Sequence, residues 1–531
     1  MEEQQFEVVI VGGGPVGMGL AIELGQRGVH CAVVERYLQP QPVPKGQNLT
    51  QRTMEHFHFW GVERELRAAR TVPADFGIGG LTTYGTLLGD YAYDWLQREL
   101  VRPYYFADNE RLPQYATEDV LRKRAGELPS VEIFYGWSGV EMTQDANGAT
   151  AVITDRDGEF KTLRGRYLVG CDGSNSVVRE QAGMTQTRLD HDKLMVLLVF
   201  RSTTLHTLLE RYPGKSFFNV LHPDLKGYWQ FFGRVDLGTT WFFHAPVPAG
   251  TTQDNFDFKH LLQTAVGVDS AALDVEIEHV GFWDLRIAIA DNYQKDRIFI
   301  AGDAAHSHPP YGGYGINIGF EDARNLGWKL AAVLKGCGGD GLLASYDEER
   351  RPVFASTAHD FIEKSIENDR DFLATYDPAR DRKAFEAEWT ARGSGATTEV
   401  NSFEPHYEGS PTVWGPSGAV SSAKGQHAFP ARAGHHLAPQ PLTSGNNVFD
   451  ELGEGMTLLA FDADRETVDA FTDAARALQI PLTVIADNRA EGRGQYEASY
   501  ILVRPDQFVA WSSADPPENV LDILQKVLGS A

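Results

Sequence analysis

The sequence predicts an α/β protein in which an inserted antiparallel sheet and a separate C-terminal α/β unit accompany a Rossmann-like domain. Residues 6–11 are mostly apolar and β-branched and end in a glycine cluster, which is typical of a buried parallel strand. A helical stretch at 15–28 and a second apolar run at 30–35 complete a βαβ unit. At 194–247, aromatic strands separated by turn residues indicate an antiparallel sheet. Short apolar runs within 457–503 indicate the C-terminal unit.

These patterns divide the chain into four parts. The Rossmann-like domain is discontinuous and takes residues 1–185 and 280–390. The inserted sheet takes residues 186–279. Residues 391–433 are rich in Gly, Ser, Pro and Thr, and we interpret them as a linker or wrapping segment. Residues 434–531 form the C-terminal α/β domain.

Composition and charge favour some classes of partner and oppose others. The net charge of -25 opposes a nucleic-acid partner, because binding phosphates needs a basic face. The three cysteines form no CxxC pair, so neither a zinc ribbon nor a dithiol motif is expected. No basic segment opens the chain, and no apolar run is long enough to span a bilayer. We therefore predict a cytoplasmic protein that does not act on membranes.

The turn after the first strand has the spacing of a dinucleotide-binding motif. Gly12 permits a tight turn, Gly14 lets the backbone approach a pyrophosphate, and Gly17 allows close helix–strand packing. Glu35 lies 18 residues after Gly17, where a carboxylate can bind the adenosine ribose. This motif predicts dinucleotide binding but does not separate FAD from NAD. The other predicted contacts of the dinucleotide are Pro15, Val16 and Arg36.

Two later segments also place a glycine and an aspartate after an apolar strand. They are Tyr-Leu-Val-Gly-Cys-Asp-Gly at 167–173 and Ile-Phe-Ile-Ala-Gly-Asp-Ala-Ala-His at 298–306. Together with the first motif, they resemble the signatures of the class A flavoprotein aromatic hydroxylases, the family of para-hydroxybenzoate hydroxylase and phenol hydroxylase. The resemblance covers roughly residues 6–360 and implies FAD as a bound cofactor.

The resemblance also implies which residues contact FAD. Asp303 ends a strand, where its carboxylate can accept hydrogen bonds from ribityl hydroxyls. Asn317 opens a helix whose positive end would stabilise anionic reduced flavin. Lys45 stands where many family members have Arg. Asp172 belongs to a segment tied to flavin and nicotinamide, and a buried ion pair with Arg179 is the alternative for it. The remaining implied contacts are Gln114, Gly302, Gly315 and Ile316.

The reaction follows from the same resemblance. NADPH or NADH reduces the flavin, and reduced flavin reacts with O2 to give a C4a-hydroperoxide that hydroxylates an electron-rich ring. The cofactor carries this chemistry, so the protein has to bind the ring and exclude water. We therefore expect an NAD(P)H-dependent FAD monooxygenase that acts on a phenolic or related small aromatic compound.

The substrate pocket is predicted between the inserted sheet and the loop that carries Pro310 and Tyr311. Aromatic residues of the sheet would form its walls, although half of the residues of a strand face away. Tyr228 and Pro310 are the first choices for residues beside the reacting ring. The further candidates for substrate contact are Trp229, Phe231, His222 and Tyr311, and the remaining aromatic candidates are Phe218, Trp241 and Phe243.

One catalytic position departs from the family. In phenol hydroxylase-like relatives, an Asp five residues before an Arg-Thr pair acts as the phenol base, whereas here Gln47 precedes the pair at 52–53. Because Gln cannot take a proton, Gln47 would hydrogen-bond a substrate oxygen or a loop backbone instead. Deprotonation would then fall to His222, His244 or Tyr228, or the substrate would be acidic enough alone.

Several alternatives stay open. The same fold could serve a halogenase or a reductase, or a noncatalytic flavin-binding protein, although no Trp-x-Trp-x-Ile-Pro segment of a flavin halogenase is present. His306 and His308 form an HxH pair, but the family has this His without metal, so no metal site is expected. The C-terminal unit resembles the thioredoxin-like tail of phenol hydroxylase relatives. Without CxxC, it is expected to serve packing or oligomerisation, with a homodimer as one outcome.

Overall fold

The computed structural model describes residues 3–76, 78–490 and 493–530. None of the helices in those ranges combines the length and the hydrophobicity that a transmembrane segment needs. The α-helices are Pro15–Gln26, Gln51–Phe59, Glu63–Ala68, Gln114–Gly126, Val177–Gln181, Thr203–Leu208, Phe258–Val266, Tyr314–Leu334, Asp340–Ser356, Lys364–Thr375, Arg382–Ser402, Val448–Glu451, Arg465–Ala477 and Val520–Val527.

A six-stranded sheet forms the centre of the first domain, and its four inner strands are parallel and buried. Burial on both faces explains why these strands are continuous apolar runs in the sequence. The helix Pro15–Gln26 packs on the helix Tyr314–Leu334, where Gly327 leaves room for Glu23. The predicted Rossmann-like unit is confirmed. In spatial order, the strands are Gln294–Lys295, Ile298–Ile300, Tyr167–Gly170, Val8–Val11, Cys31–Glu35 and Val131–Tyr135.

Two smaller sheets belong to the same part of the chain. One has four strands and the other has two. The two-stranded sheet matters for the site, since it brings residues 48–49 beside residues 110–111. The two-stranded sheet consists of Asn48–Leu49 and Glu110–Arg111. In spatial order, the strands of the four-stranded sheet are Glu3–Gln5, Phe160–Gly165, Gly148–Thr154 and Ser138–Asp145.

The inserted sheet is larger than the predicted range 186–279. It has eight strands, and it includes two strands from before residue 100 and one from after residue 300. The strand Gly80–Tyr84 pairs in parallel with Phe217–Leu221, a contact between distant segments that no local pattern shows. In spatial order, the strands are His306–Ser307, Glu276–Ala290, Gln186–Arg201, Thr240–Val247, Trp229–Arg234, Phe217–Leu221, Gly80–Tyr84 and Ala92–Trp95.

Alternate residues of this sheet face two different cores, as the period of a strand requires. One face carries Phe217, Trp229, Phe231 and Phe242 and packs against Tyr311. The opposite face packs against the helix Phe258–Val266. Three residues predicted as possible walls of the substrate pocket lie on that opposite face, and the prediction is wrong for them: Phe218, Trp241 and Phe243.

The segment 391–433 begins as helix rather than linker. The helix Arg382–Ser402 continues through Gly393 and Gly395, because Phe385 and Trp389 are buried in a small hydrophobic core and Val400 is buried as well. At Gly393, an added Cβ would lie 3.0 Å from the Tyr93 Cβ, so the glycine lets the helix approach the strand Ala92–Trp95 closely. After the helix, the strands Phe403–His406 and Ser422–Lys424 pair with each other.

The C-terminal domain has the predicted thioredoxin-like sheet with helices Arg465–Ala477 and Val520–Val527. Its core includes Trp328 from the long helix of the first domain. A buried ionic cluster also joins the two domains. The Glu349 carboxylate lies 2.7 Å from Lys329 Nζ and 2.6 Å from Arg504 Nη1, and these cations hold its pKa well below the usual range despite burial. In spatial order, the strands are Leu482–Asp487, Met456–Phe461, Tyr500–Val503 and Val509–Ser513.

Candidate active site

The glycines of the N-terminal turn differ in what surrounds them. A Cβ at Gly12, whose φ is +108°, would lie 2.2 Å from the Cys171 carbonyl oxygen. A Cβ at Gly17 would lie 1.9 Å from the Gly12 oxygen, so packing alone requires glycine at both positions. At Gly14, a Cβ meets no atom within 4 Å. Gly14 therefore leaves open space at the start of the helix Pro15–Gln26, where amide donors can bind a pyrophosphate.

The turn is held by Glu35 and contacts both later motifs. Glu35 accepts hydrogen bonds from the Gly13 N–H (2.8 Å) and the Tyr37 N–H (2.7 Å), which leaves acceptor sites for a ribose. A Cβ at Gly302 would lie 2.9 Å from Val16 Cγ2, so this segment touches the turn. Since Gly12 touches Cys171, all three motifs meet at one place. Pro15 takes the first helical position, and Arg36 is exposed with its guanidinium 4.8 Å from the Tyr37 ring.

Asp303 offers a carboxylate that the protein leaves unused. Among the residues that the structure describes, none donates a hydrogen bond to it. Asp303 is exposed, but the protein around its carboxylate removes part of the solvation of the charged form and thereby raises the pKa of this carboxyl. The charges of His306 and Lys45 act in the opposite direction. A hydroxyl-rich ligand would supply the missing hydrogen bonds, as the ribityl chain of FAD does in the family.

Asp172 and Arg179 do not form the ion pair that was the alternative to a cofactor role. Asp172 accepts hydrogen bonds from Ser176 Oγ and the Val178 N–H at the start of a short helix, and burial raises the pKa of its carboxyl. Arg179 instead donates to the carbonyl of Ala304 (2.7 Å). The Arg179 side chain thereby links the second glycine motif to the third.

The start of the helix Tyr314–Leu334 is built around Asn317. Its Nδ2 donates to the Gly313 carbonyl (2.7 Å) and the Asn48 carbonyl (2.9 Å), and its Oδ1 accepts from the Thr50 N–H (2.9 Å). Gly313 adopts φ +68°, which glycine permits without strain. Asn317 thus fixes the segment 46–50 beside the helix N-terminus.

The segment 45–47 lies between two predicted flavin contacts. The Gly46 N–H donates to Gln114 Oε1 (3.3 Å), and a Cβ at Gly46 would lie 3.4 Å from Ile316 Cδ1. Gly315 is not required by packing, since a Cβ there would lie an ordinary 3.6 Å from His308. The predicted FAD residues therefore surround one region. The open side of Gly14 and the unused carboxylate of Asp303 fit the pyrophosphate and the ribityl chain of FAD.

Four aromatic side chains form a cluster next to this region, which we call the aromatic cluster. The Tyr311 ring centroid lies 5.0 Å from that of Trp229 and 5.5 Å from that of Trp95, and Trp95 lies 6.2 Å from Phe231. The structure thus brings three predicted substrate residues together, with Pro310 directly before Tyr311. Trp95 was not predicted. Its ring lies over Gly80, where a Cβ would approach it to 3.1 Å.

A buried cation beside the cluster was also missed by sequence reasoning. Arg111 Nη2 donates to Gln47 Oε1 (2.8 Å), and its guanidinium lies 4.3 Å from the centroid of the Phe217 ring. No carboxylate of the described residues lies within ion-pair distance of Arg111. Burial and the neighbouring Arg234 lower the pKa of Arg111 to about 9, which still leaves it charged at neutral pH. A buried cation without a counter-ion favours an anionic ligand.

Three buried polar atoms near the cluster have no hydrogen-bond partner in the described part of the chain: Gln47 Nε2, Asn219 Oδ1 and His244 Nδ1. Asn219 and His244 are both cross-strand neighbours of Phe231 in the sheet, so their side chains lie on the same face of the sheet as Phe231. Buried polar groups normally find partners, so such unsatisfied atoms indicate a site for polar substituents of a ligand or for water.

The candidate bases differ in environment. His222 caps a short surface helix by accepting from the Asp224 N–H, and its side chain is 38% exposed, so its predicted role in the pocket is wrong. Burial raises the pKa of Tyr228, so its hydroxyl is protonated at neutral pH and cannot act as a base. Burial lowers the pKa of His244 to about 4, which makes it a weak base. The residues therefore favour a substrate that is already ionised.

Two other features lie outside this arrangement. His306 pairs with Asp322 (2.7 Å), whose carboxylate also binds Arg350, so His306 belongs to a structural network. A separate pocket shares Tyr314 and Asn317 with the helix start but is not lined by any member of the aromatic cluster. That pocket is therefore distinct from the aromatic cluster.

Comparison with known proteins gives the same picture. Residues 5–360 match the FAD binding domain family, and residues 431–531 match the aromatic-ring hydroxylase C-terminal family. The chain is 33% identical to 4-methyl-5-nitrocatechol 5-monooxygenase of a Burkholderia species, across 99% of this chain and 98% of that protein. It is 32% identical to a putative polyketide hydroxylase of Streptomyces halstedii, across 96% and 93%.

Solved structures agree over the whole length. The rebeccamycin biosynthetic enzyme RebC with reduced flavin has a TM-score of 0.86 at 29% identity, with both chains fully covered. The monooxygenase PieE in complex with FAD and substrate has a TM-score of 0.86 at 25% identity, across 99% of both chains. These relatives favour oxygenation over the halogenase, reductase and noncatalytic alternatives. FAD as cofactor and NAD(P)H as reductant are confirmed, and the chain belongs to the FAD-dependent aromatic-ring hydroxylases.

Proposed function

We propose that this enzyme hydroxylates an acidic phenol, bound as its phenolate beside the aromatic cluster. The observation that carries the proposal is Arg111, a buried cation with no acidic partner among the described residues. A phenolate oxygen would supply the missing negative charge and accept from the guanidinium and from Gln47 Nε2. The enzyme would then need no protein base, which accounts for Gln at the position of the family's Asp.

The residues divide the work as follows. Bound FAD supplies the redox chemistry, which takes electrons from NAD(P)H and one oxygen atom from O2. The turn at Gly14 and the Asp303 carboxylate bind the cofactor, and Asn317 positions the segment beside it. Trp229 and Tyr311 would cover the ring and exclude water, which favours hydroxylated product over release of hydrogen peroxide. The ionised hydroxyl makes the ring electron-rich, so attack is favoured.

The name of one relative supports this substrate class. That relative is a 4-methyl-5-nitrocatechol 5-monooxygenase, and a nitro group lowers the pKa of a ring hydroxyl by withdrawing electrons. A catechol also carries more than one oxygen, which matches the several unpartnered polar atoms near the cluster. We therefore place nitrophenols and nitrocatechols first among candidate substrates.

The test compares substrates that differ in acidity. At pH 7.5, the holoenzyme is given 4-nitrocatechol, catechol and the methyl ether of a nitrophenol, and NAD(P)H oxidation and hydroxylated product are measured. We expect product with the nitrocatechol and at least tenfold weaker binding of the ether, or about 1.4 kcal/mol. Arg111→Gln should remove this preference, while Arg111→Lys should keep part of it. Equal binding of 4-nitrocatechol and of the methyl ether by the wild type would contradict the proposal.

A further inference from the structure

A cluster of metal-binding side chains lies where the segment after the helix Arg382–Ser402 meets the C-terminal domain. One ligand atom each of His406, Glu408 and His435 lies within 4.8 Å of the others. The two imidazole rings stack with their centroids 4.8 Å apart and nearly parallel. The backbones are joined as well, since the Tyr407 N–H donates to the Gly434 carbonyl (2.7 Å). The cluster is therefore held by more than its own side chains.

The outer nitrogen of each imidazole is bound in the way that is usual for metal ligands. His435 Nδ1 lies 2.8 Å from Glu404 Oε1, and His406 Nε2 lies 3.3 Å from the Lys424 carbonyl oxygen. A carboxylate or a carbonyl in this position orients a metal-ligating imidazole and fixes its tautomer. The inner nitrogens then point to Glu408, with His435 Nε2 2.9 Å from Oε1 and His406 Nδ1 3.9 Å from Oε2.

His406 is the least satisfied member of the cluster. It is 7% exposed, and its Nδ1 has no hydrogen-bond partner in the described part of the chain. A hydrogen-bond network alone would leave this nitrogen unused. A cation between the two rings and Glu408 would use it.

We propose that His406, Glu408 and His435 bind one divalent transition-metal ion of the Zn²⁺ class. Two imidazole nitrogens and one carboxylate oxygen form a ligand set that suits Zn²⁺, with water in the fourth position because the Glu408 side chain is 28% exposed. The ion would clamp the strand Phe403–His406 to the residues that open the C-terminal domain. Its role would be structural.

The test measures zinc in the purified, tag-free holoenzyme after removal of metal with a chelator. On dialysis against micromolar Zn²⁺, we expect one zinc per chain in the wild type. Glu408→Gln, which keeps the side-chain shape, should lower the affinity for zinc at least tenfold. Glu404→Gln should weaken binding by about 10–100-fold by removing the orienting carboxylate. His359→Gln, which changes an exposed histidine elsewhere, is the control and should bind as the wild type does.

Cobalt provides a readout that needs no variant. Co²⁺ added to the metal-free wild type should give the intense visible absorption of a tetrahedral site, and Zn²⁺ should abolish it by displacement. Two results would overturn the proposal: a wild type that binds no zinc at micromolar concentration, or a folded Glu408→Gln variant that binds as much as the wild type. The latter would mean that binding is adventitious and lies elsewhere on the surface.

Discussion

Replacing Gly14 with Ala separates cofactor binding from folding. An added Cβ meets no protein atom within 4 Å, and Gly14 has an ordinary φ of -71°, so the apoprotein should tolerate it. Losing glycine's freedom in the unfolded chain stabilises by about 0.4–1 kcal/mol, and Ala is a poorer helix N-cap by a similar amount. The two effects nearly cancel. FAD affinity should instead fall at least tenfold, or about 1.4 kcal/mol, because the methyl group takes space that the pyrophosphate needs.

The assay is FAD titration of the apoprotein, followed by quenching of flavin fluorescence, alongside thermal unfolding without FAD. Gly395→Ala is the matched control, since its Cβ also meets nothing within 4 Å but lies within a helix far along the chain. It should leave FAD affinity unchanged and stabilise the helix by about 0.5–1 kcal/mol. A Gly14→Ala apoprotein that binds FAD as tightly as the wild type would refute the placement of the pyrophosphate.

Three further outcomes follow. His244 has a pKa of about 4 in the folded state and about 6.5 in the unfolded state, so acidification protonates the unfolded state first and destabilises the fold. Between pH 7.5 and 5, the wild type should therefore lose about 2 kcal/mol more unfolding free energy than His244→Gln, as measured by urea titration. Glu349→Gln leaves buried cations poorly compensated and should cost about 3–5 kcal/mol, whereas Glu386→Gln, at an exposed ion pair, should leave the stability nearly unchanged. Trp95→Ala should admit water and lower the product formed per NAD(P)H oxidised; unchanged coupling would argue against its place in the wall.

The parts of the fold that the sequence predicts are those coded by contiguous residues. Each glycine motif is a strand, a turn and a helix start within about a dozen residues, so its local pattern suffices. The predicted boundaries of the inserted sheet were wrong, because part of the sheet is formed by contacts between distant segments. Gly80–Tyr84 joins that sheet by pairing with Phe217–Leu221, and the local sequence of neither segment indicates this pairing. The helix through Gly393 and Gly395 likewise depends on packing against Tyr93, which overrides weak local propensity.

The candidate site divides along the same line. The resemblance to a family supplied the FAD residues, whose roles here remain predictions supported by the geometry. Trp95 and Arg111 were missed because they enter the site only through strand pairing, Trp95 opposite Gly80 and Arg111 opposite Asn48. His222 was predicted to contact the substrate, but the turn that it caps carries it to the surface.

We propose that this chain uses bound FAD to insert one oxygen atom from O2 into an acidic phenol. Isotope labelling tests it most directly: the holoenzyme, NAD(P)H and 4-nitrocatechol are incubated under ¹⁸O2 in ordinary water, and the product is analysed by mass spectrometry. We expect a hydroxylated product that carries one labelled oxygen. Label-free product, or hydrogen peroxide in place of any product across the acidic phenols, would contradict it.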